Sequence, residues 1–288
     1  MLTMGLCDLC GENAGWLQNR HPACTDRAES AKKALYDLAL NGTLAGKSFS
    51  DLDTEARQLA TDNRVPFQQF GEVLLQAADD AAGKIAVQAP VSQDDYRRVF
   101  AILQGWGIQQ YINNGEIATR RWFGLPQLDM SLILWQVLHG LNPIYDGAGR
   151  IQFNLQPGEV PIFTAGKVTF AEERTVSTHT RTFGGLSLPV GAGIYYHVGG
   201  SQGHQVSGLL PLDVGEMLIT TRTIYFGGQK RTLRIPLNHV VRYRPYIDGV
   251  GVCESHGAPK VFVMDYRGLD TGWFFFNLLS ALTGRLTQ

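Results

Sequence analysis

Hydrophobic and polar positions change their spacing near the middle of the chain. Between residues 28 and 140, apolar residues such as Phe67, Phe70 and Leu74 recur three and four positions apart, which is the period of an amphipathic helix. After residue 150, short runs rich in Val, Ile, Tyr and Phe alternate with glycine-containing turns, a pattern typical of β-strands. The sequence therefore predicts an α+β fold, with a helical first half and a β-rich second half.

Capping residues and glycines predict where the helices of the first half begin and end. Ser50 is predicted to cap one helix, and Ser92 with Asp95 forms a capping box for another. Gly42 and Gly140 are predicted to end two others, because glycine readily follows the last helical turn. We therefore expect a compact bundle of about four to six short helices.

The second half contains seven or eight predicted strands at short intervals. They lie in segments 159–174, 193–200, 216–220, 223–237, 239–254 and 260–265. Hairpins are predicted around Gly227-Gly228 and Asp248-Gly249, where turn residues separate β-prone runs. An apolar helix over Asp270–Leu282 follows, and its narrow polar stripe is typical of a helix that packs on a sheet. Many short strands with frequent turns favour a sandwich or a small barrel.

Composition narrows the classes of protein that fit this pattern. The 288 residues are 44% hydrophobic, which is enough to build one large core or several small ones. The net charge of −1 gives no overall basic field for nucleic acid or an acidic membrane. The first residues lack the basic and apolar regions of a secretory signal. The longest apolar run, Gly272–Gly284, is shorter than the roughly 20 residues of a membrane span. We expect a cytoplasmic protein.

Three of the four cysteines lie close to the N-terminus, together with a histidine. Their spacing is Cys7-x2-Cys10-x10-His21-x2-Cys24, and Gly11 follows the second cysteine, where a tight turn often needs positive φ. In a reducing compartment, clustered cysteines bind metal more often than they form disulfides. Three thiolates and one imidazole complete a closed tetrahedral site, so we predict one structural zinc per chain.

This segment resembles treble-clef or ribbon-type zinc fingers, with a "CDLCG" turn followed by "HPAC" at the start of a helix. The alternative is a set of buried cysteines with an unrelated histidine. A catalytic zinc is disfavoured, because four protein ligands leave no position for water. Nucleic-acid binding is also disfavoured, because acidic residues outnumber the two arginines, Arg20 and Arg27, in this segment.

A resemblance to a known family covers roughly residues 155–285. The segment 215–252 is similar to the pleckstrin-homology-like and GRAM-like domains of bacteria. The matching positions are Gly215-Glu216, Thr221-Arg222, Tyr225-Phe226-Gly227, Ile235-Pro236-Leu237, Val240-Val241 and Asp248-Gly249. The resemblance implies a seven-stranded β-barrel capped by a C-terminal helix. It also implies binding of a partner at the barrel, with lipid or membrane-surface contact as a weaker expectation, because few Lys and Arg occupy the first loops.

No group of residues in the chain specifies a reaction. Cys253 and His256 are three positions apart beside Glu254, but catalytic Cys–His pairs are assembled in space, and a turn explains this spacing better. His179 and His204 lie in glycine-rich loops that could line an active site or form mobile hairpin tips. Asp79 and Asp80 are adjacent in the helical region, so they cannot share a helical face, and they are expected to be solvated surface charges.

The sequence thus predicts three parts: a zinc-finger segment with the first helix (1–42), a helical bundle (43–140) and a pleckstrin-homology-like barrel (150–288). The favoured function is a non-enzymatic binding or scaffold protein that recognises a protein partner, at a membrane surface in one version of the hypothesis. The alternatives are a zinc-dependent nucleic-acid-binding protein and an enzyme that uses the His179 and His204 loops. The sequence leaves the oligomeric state open.

Overall fold

A computed structural model of the chain describes most of its residues. These are 5–15, 19–63, 67–113, 122–143, 152–176, 188–189, 195–196, 206–264 and 271–284. The chain divides into two compact units, Met1–Trp135 and Gln136–Gln288. The first is helical and the second is built on an antiparallel sheet, so the expected mixed α+β class is confirmed.

The first unit contains a short β-hairpin followed by α-helices. The hairpin pairs β1 (Gly5–Leu6) with β2 (Asn13–Gly15). The helices are α1 (Pro22–Leu44), α2 (Phe49–Asp62), α3 (Gly71–Gln88), α4 (Gln93–Gly105), α5 (Ile108–Asn113) and α6 (Gly124–Leu138), with a 3-10 turn at Phe67–Phe70. Six helices among the described residues agree with the expected number, and the boundary between the units falls inside α6.

One hydrophobic core joins these helices. Leu35 of α1, Leu52 of α2, Leu74 of α3 and Ile102 of α4 are fully buried in the same cluster. Leu9, in the loop between β1 and β2, packs against this cluster. The N-terminal hairpin is therefore attached to the bundle core by an apolar side chain as well as by its direct connection to α1.

The capping predictions have mixed outcomes. Ser92 precedes α4 and its hydroxyl accepts a hydrogen bond from the Asp95 N–H at 3.2 Å, so this capping box is confirmed. The prediction for Ser50 is wrong, because Ser48 caps α2 and accepts from the N–H of Asp51. The pattern of acidic residues after each serine is similar, and only the backbone geometry at Ser48 distinguishes the two positions.

Gly42 does not end the first helix, so that prediction is also wrong. It lies inside α1, where a β-carbon would approach a Leu52 side-chain carbon to 2.3 Å. Gly42 is thus required for the close approach of α1 and α2. Gly46, with φ of +81°, follows the last turn instead. Gly140, with φ of +69°, lies two residues beyond the end of α6 as predicted.

Asp79 is not a solvated surface charge, which corrects the expectation from the sequence. Its side chain is buried, and its two carboxylate oxygens accept hydrogen bonds of 2.9 Å from the N–H groups of Gly124 and Leu125. A carboxylate on α3 therefore caps α6, which has no cap of its own. Gly124 permits this contact, because a β-carbon there would lie 1.7 Å from the Asp79 carbonyl oxygen.

The second unit contains the predicted seven-stranded sheet. Its strands are β3 (Pro161–Val176), β6 (Val206–Thr220), β7 (Thr223–Gly228), β8 (Thr232–Pro236), β9 (Val240–Tyr246), β10 (Gly249–Glu254) and β11 (Lys260–Met264). All neighbours are antiparallel, in the order β8-β7-β6-β3-β11-β10-β9. Both predicted hairpins are present, and β4 (Leu188–Pro189) with β5 (Tyr195–Tyr196) forms a separate two-stranded ladder.

The sheet is not closed into a barrel, in contrast to the expectation. Within the described residues, β8 and β9 are the two edges and do not pair with each other. A 3-10 turn, Leu237–His239, joins them directly. Pro236, which has no N–H to donate, ends β8, so the chain leaves the sheet at this point instead of continuing a ladder. The short turn nevertheless keeps the ends of the two edge strands close together at one corner.

Aromatic side chains form much of the core of the second unit. Phe170, Phe226 and Phe262 are fully buried, with ring centroids 5.6 to 5.9 Å apart. The closing helix α7 (Gly272–Leu282) packs against β9 and β10. Gly272 allows this contact, because a β-carbon would lie 1.5 Å from the Tyr246 carbonyl oxygen. Asp270, the predicted start of this helix, lies outside the described residues. None of the described helices combines the length and the apolar character that crossing a membrane requires.

Candidate metal centre

The turn after β1 positions the first two cysteines. The Cys7 N–H donates to the Glu12 carbonyl at 2.7 Å, and the Gly11 N–H donates to the Cys7 carbonyl at 2.8 Å. Gly11 has φ of +74°, as its place after Cys10 predicted. This backbone turn reverses the chain between β1 and β2 and directs the Cys7 and Cys10 side chains to the same side as His21.

The start of α1 positions the other two candidate ligands. His21 is the residue before the first helical turn, with φ of −74° and ψ of 144°, and Pro22 begins the helix. The Cys24 N–H donates to the His21 carbonyl at 3.0 Å. Residues three apart at a helix start face the same side, so this turn places the Cys24 sulfur beside the His21 ring.

The four side chains converge. One ligand atom from each of Cys7, Cys10, His21 and Cys24 lies within 4.8 Å of the others. The His21 Nδ1 atom is 3.3 Å from the Cys10 Sγ atom and 3.6 Å from the Cys24 Sγ atom. A tetrahedral ion with bonds of about 2.3 Å to sulfur and 2.0 Å to nitrogen separates its ligand atoms by roughly 3.5 to 3.8 Å. The group could therefore hold a metal ion.

A second hydrogen bond fixes the orientation of the histidine ring. The His21 Nε2 atom lies 2.8 Å from the Asn13 carbonyl oxygen. Since a carbonyl only accepts, Nε2 carries the proton, and the lone pair of Nδ1 faces the sulfur atoms. A metal-binding histidine commonly donates its other N–H to a carbonyl or carboxylate in this way. Sequence spacing gives no signal for this partner, because Asn13 contributes a backbone atom.

The thiols of the cluster differ in pKa. Burial raises the pKa of Cys7, but hydrogen bonds from the backbone of His21, Leu9 and Cys10 outweigh it and lower that pKa to about 6. Burial and the neighbouring Cys10 and Cys7 sulfurs raise the pKa of Cys24 to about 11. The hydrogen bond to Asn13 raises the pKa of His21. A divalent cation would remove the repulsion between the thiolates and allow all of them to ionise.

The surroundings of the cluster are not basic. Arg20 lies 3.7 Å from the Asp8 carboxylate, and both side chains are about half exposed. Most other charges near the cluster are acidic, as the sequence indicated.

Two further residues considered from the sequence, Cys253 and His256, lie in the second unit, outside the metal cluster. Cys253 lies at the end of β10, and the exposed His256 in the following turn is 2.9 Å from the Ser255 hydroxyl. His179 and His204 lie outside the described residues. The Arg231 guanidinium, in the turn between β7 and β8, is 3.4 Å from the Glu172 carboxylate, so this cation already has an acidic partner.

The chain matches no protein-family model, and no curated protein is similar to it. The function is therefore inferred from the geometry of the cluster and of the second unit.

Proposed function

We propose that the protein is a non-enzymatic binding protein with a structural zinc ion. The convergence of three sulfur atoms and one nitrogen atom supports the zinc assignment, because zinc favours this donor set in tetrahedral geometry. Four protein ligands fill the coordination sphere, so the ion holds β1, β2 and the start of α1 together and does not activate water. The unpaired thiols of all four cysteines suit the reducing cytoplasm that the sequence analysis predicts.

Native mass spectrometry of untagged protein, purified without chelator, tests the zinc assignment. We expect a mass increment of one zinc ion per chain. Replacing Cys7 and Cys10 by serine should remove it, because serine is not a thiolate donor. The variant Cys253→Ser is the matched control, because Cys253 lies outside the cluster, and it should retain the ion. Metal-free wild-type protein, or loss of the ion in the control, would contradict the proposal.

We further propose that the second unit recognises a protein partner. The observation that carries this proposal is the edge strand β9, which pairs only with β10 among the described strands. Val241 on this strand is 61% exposed, and Ile247 in the turn after it is 80% exposed. Large apolar side chains beside an unpaired strand edge are typical of a surface that a partner covers.

The resemblance to pleckstrin-homology-like domains agrees with this assignment, and two features of the second unit support it. The seven strands form two antiparallel meanders, β3-β6-β7-β8 and β9-β10-β11, that join through β3 and β11. A C-terminal helix then packs on one end of the sheet. This is the number of strands and the capping helix that the resemblance implies.

Affinity purification with quantitative mass spectrometry tests partner recognition. We expect the double variant Val241→Asp/Ile247→Asp to lose bound proteins that the wild type retains, because two carboxylates would be buried in the interface. Val87→Asp is the matched control, because Val87 is 58% exposed but lies on α3 of the first unit. Identical sets of bound proteins from wild type and the double variant would contradict the proposal.

A further inference from the structure

Two grooves meet at the corner between the edge strands of the second unit. The first has a volume of about 720 Å³ and lies between the β6–β7 turn, the end of β8 and the end of α7. The second has a volume of about 650 Å³ and lies between the start of β9 and the turn after β10. Both are lined by Asn238 and His239. Because they share these two residues, the two grooves adjoin, and together they make up the depression at this corner.

The first groove carries positive charge. The Arg222 and Arg234 side chains line it, and no acidic residue does so among the described residues. Neither guanidinium lies within ion-pair distance of a described carboxylate. The guanidinium of Arg234 stands 5.9 Å from the centre of the Tyr225 ring, an arrangement that leaves its N–H edge available to a ligand.

Glu159 lies next to this groove, but its carboxylate is already engaged in hydrogen bonds within the protein. It is buried, and its carboxylate accepts hydrogen bonds from the Thr223 hydroxyl, the Tyr225 hydroxyl and the Gln156 N–H. This one charge offsets part of the field of Arg234, and no described carboxylate lies within ion-pair distance of the Arg222 guanidinium. The groove thus attracts anions.

The rest of the lining suits a peptide better than a compact ion. Thr221, Asn238 and Thr283 offer polar groups in the first groove, and Pro236 and Leu282 offer apolar surface there. The second groove continues the depression and includes the exposed side chain of Val241. An extended peptide uses charged, polar and apolar contacts together, whereas a small anion needs only the charged contacts.

The strand edges themselves are poor templates for an added strand. Pro236 ends β8 and Pro245 lies within β9, and neither residue has an N–H to donate. Proline on an edge strand prevents continuous pairing with another strand. A segment bound at this corner is therefore held chiefly by its side chains.

We propose that the two grooves bind an extended, acidic segment of a protein partner, with carboxylates of the segment at Arg222 and Arg234. This inference rests on the proposed partner recognition by the second unit and specifies its chemistry. Arginine forms bidentate hydrogen bonds with carboxylates, which gives both affinity and orientation. An apolar residue of the segment would contact Leu282 or Val241, at either end of the depression.

The first test is selection of random linear peptides on the immobilised full-length protein. We expect the enriched sequences to contain Asp and Glu together with at least one large apolar residue. The best peptide should lose affinity steeply as ionic strength rises, because the charged contacts are at the surface. Enrichment of sequences without acidic residues, or no enrichment, would overturn the proposal.

Two variants test the assigned arginines. Arg222→Gln and Arg234→Gln should each weaken binding of the selected peptide about tenfold or more, since one charge-assisted contact is lost. Arg242→Gln is the matched control, because Arg242 is exposed on β9 but lines neither groove. The affinity of this variant should stay within about twofold of wild type, as expected for an exposed charge that lines neither groove. Equal losses in all three variants, or no loss in the first two, would overturn the assignment.

Inorganic phosphate and vesicles of neutral and anionic phospholipids separate the alternatives. Binding of phosphate or anionic vesicles that depends on Arg222 and Arg234, with no peptide enriched, would assign the groove to phosphate groups and overturn the peptide proposal. A partner that is lost from Val241→Asp/Ile247→Asp but bound normally by Arg222→Gln/Arg234→Gln would leave partner recognition standing and refute the acidic segment. The two proposals therefore fail in distinguishable ways.

Discussion

At Asp79 and at His21, a backbone group from another part of the chain determines what the side chain does. The Asp79 carboxylate accepts from two N–H groups at the start of α6, some 45 residues away. The His21 ring donates to the Asn13 carbonyl and turns its other nitrogen toward the cysteines. In both cases the partner is a main-chain atom, which every residue possesses, so residue identity alone does not reveal the interaction.

Asp79 makes the stability of the helical unit depend on pH. Burial raises its pKa to about 6, although the N–H groups of Gly124 and Leu125 oppose the shift. Its pKa in the unfolded chain is near 3.9, so its protonation stabilises the fold fully below about pH 4, and this contribution is lost as the pH rises through 6. Relative to Asp79→Ala, the free energy of unfolding of the wild type should fall by about 3 kcal/mol over this interval.

Urea unfolding followed by tryptophan fluorescence, at pH values from about 4 to 7, measures this difference. Asp94→Ala is the control, because the Asp94 side chain is 94% exposed, and its profile should run parallel to that of the wild type. A constant difference between wild type and Asp79→Ala at all pH values would refute the assignment.

At the scale of elements, the sequence predicted which segments are helices or strands better than it predicted the residues at which they begin and end. The capping box at Ser92 and the two hairpin turns depend on residues adjacent in sequence, so they were predictable. Gly42 was misjudged because packing of α1 on α2 decides its role, and Ser50 because the backbone geometry at Ser48 decides where α2 is capped. Similarly, β6 begins at Val206, well before its predicted apolar run, because its first half pairs with the equally long β3.

The two candidate sites differ in how far apart their residues lie in the sequence. The spacing of the metal cluster is local, so four ligands could be selected from 18 residues of sequence. The grooves instead combine residues from β7, β8, β9, β10, α7 and the turns between strands. Only the order of strands brings Arg222 and Arg234 together, through pairing of Thr223 with Pro236 and Tyr225 with Arg234. The spacing of hydrophobic residues along the chain does not predict that these two arginines lie close together.

At the scale of the whole molecule, the metal cluster belongs to one unit and the grooves to the other. All four candidate ligands lie between residues 7 and 24, in the first unit, whose core includes Leu9 and the buried face of α1. The grooves are lined only by residues after 155, in the second unit. The division into finger, bundle and barrel domains predicted from the sequence stays a prediction. In the first unit, α1 shares its core with α2, α3 and α4.

Removal of zinc from the full chain should therefore loosen one unit selectively. We expect hydrogen–deuterium exchange after chelation to rise most in β1, β2 and the first turns of α1, because the ion replaces the large core that this segment lacks. A smaller rise should follow in α3, which packs on α1, while the strands β6 to β11 keep their protection. Cys253→Ser should respond to chelation as the wild type does, since its sulfur is outside the cluster. A uniform rise over both units would show that the ion supports the whole fold, and no rise in β1 and β2 would refute its structural role.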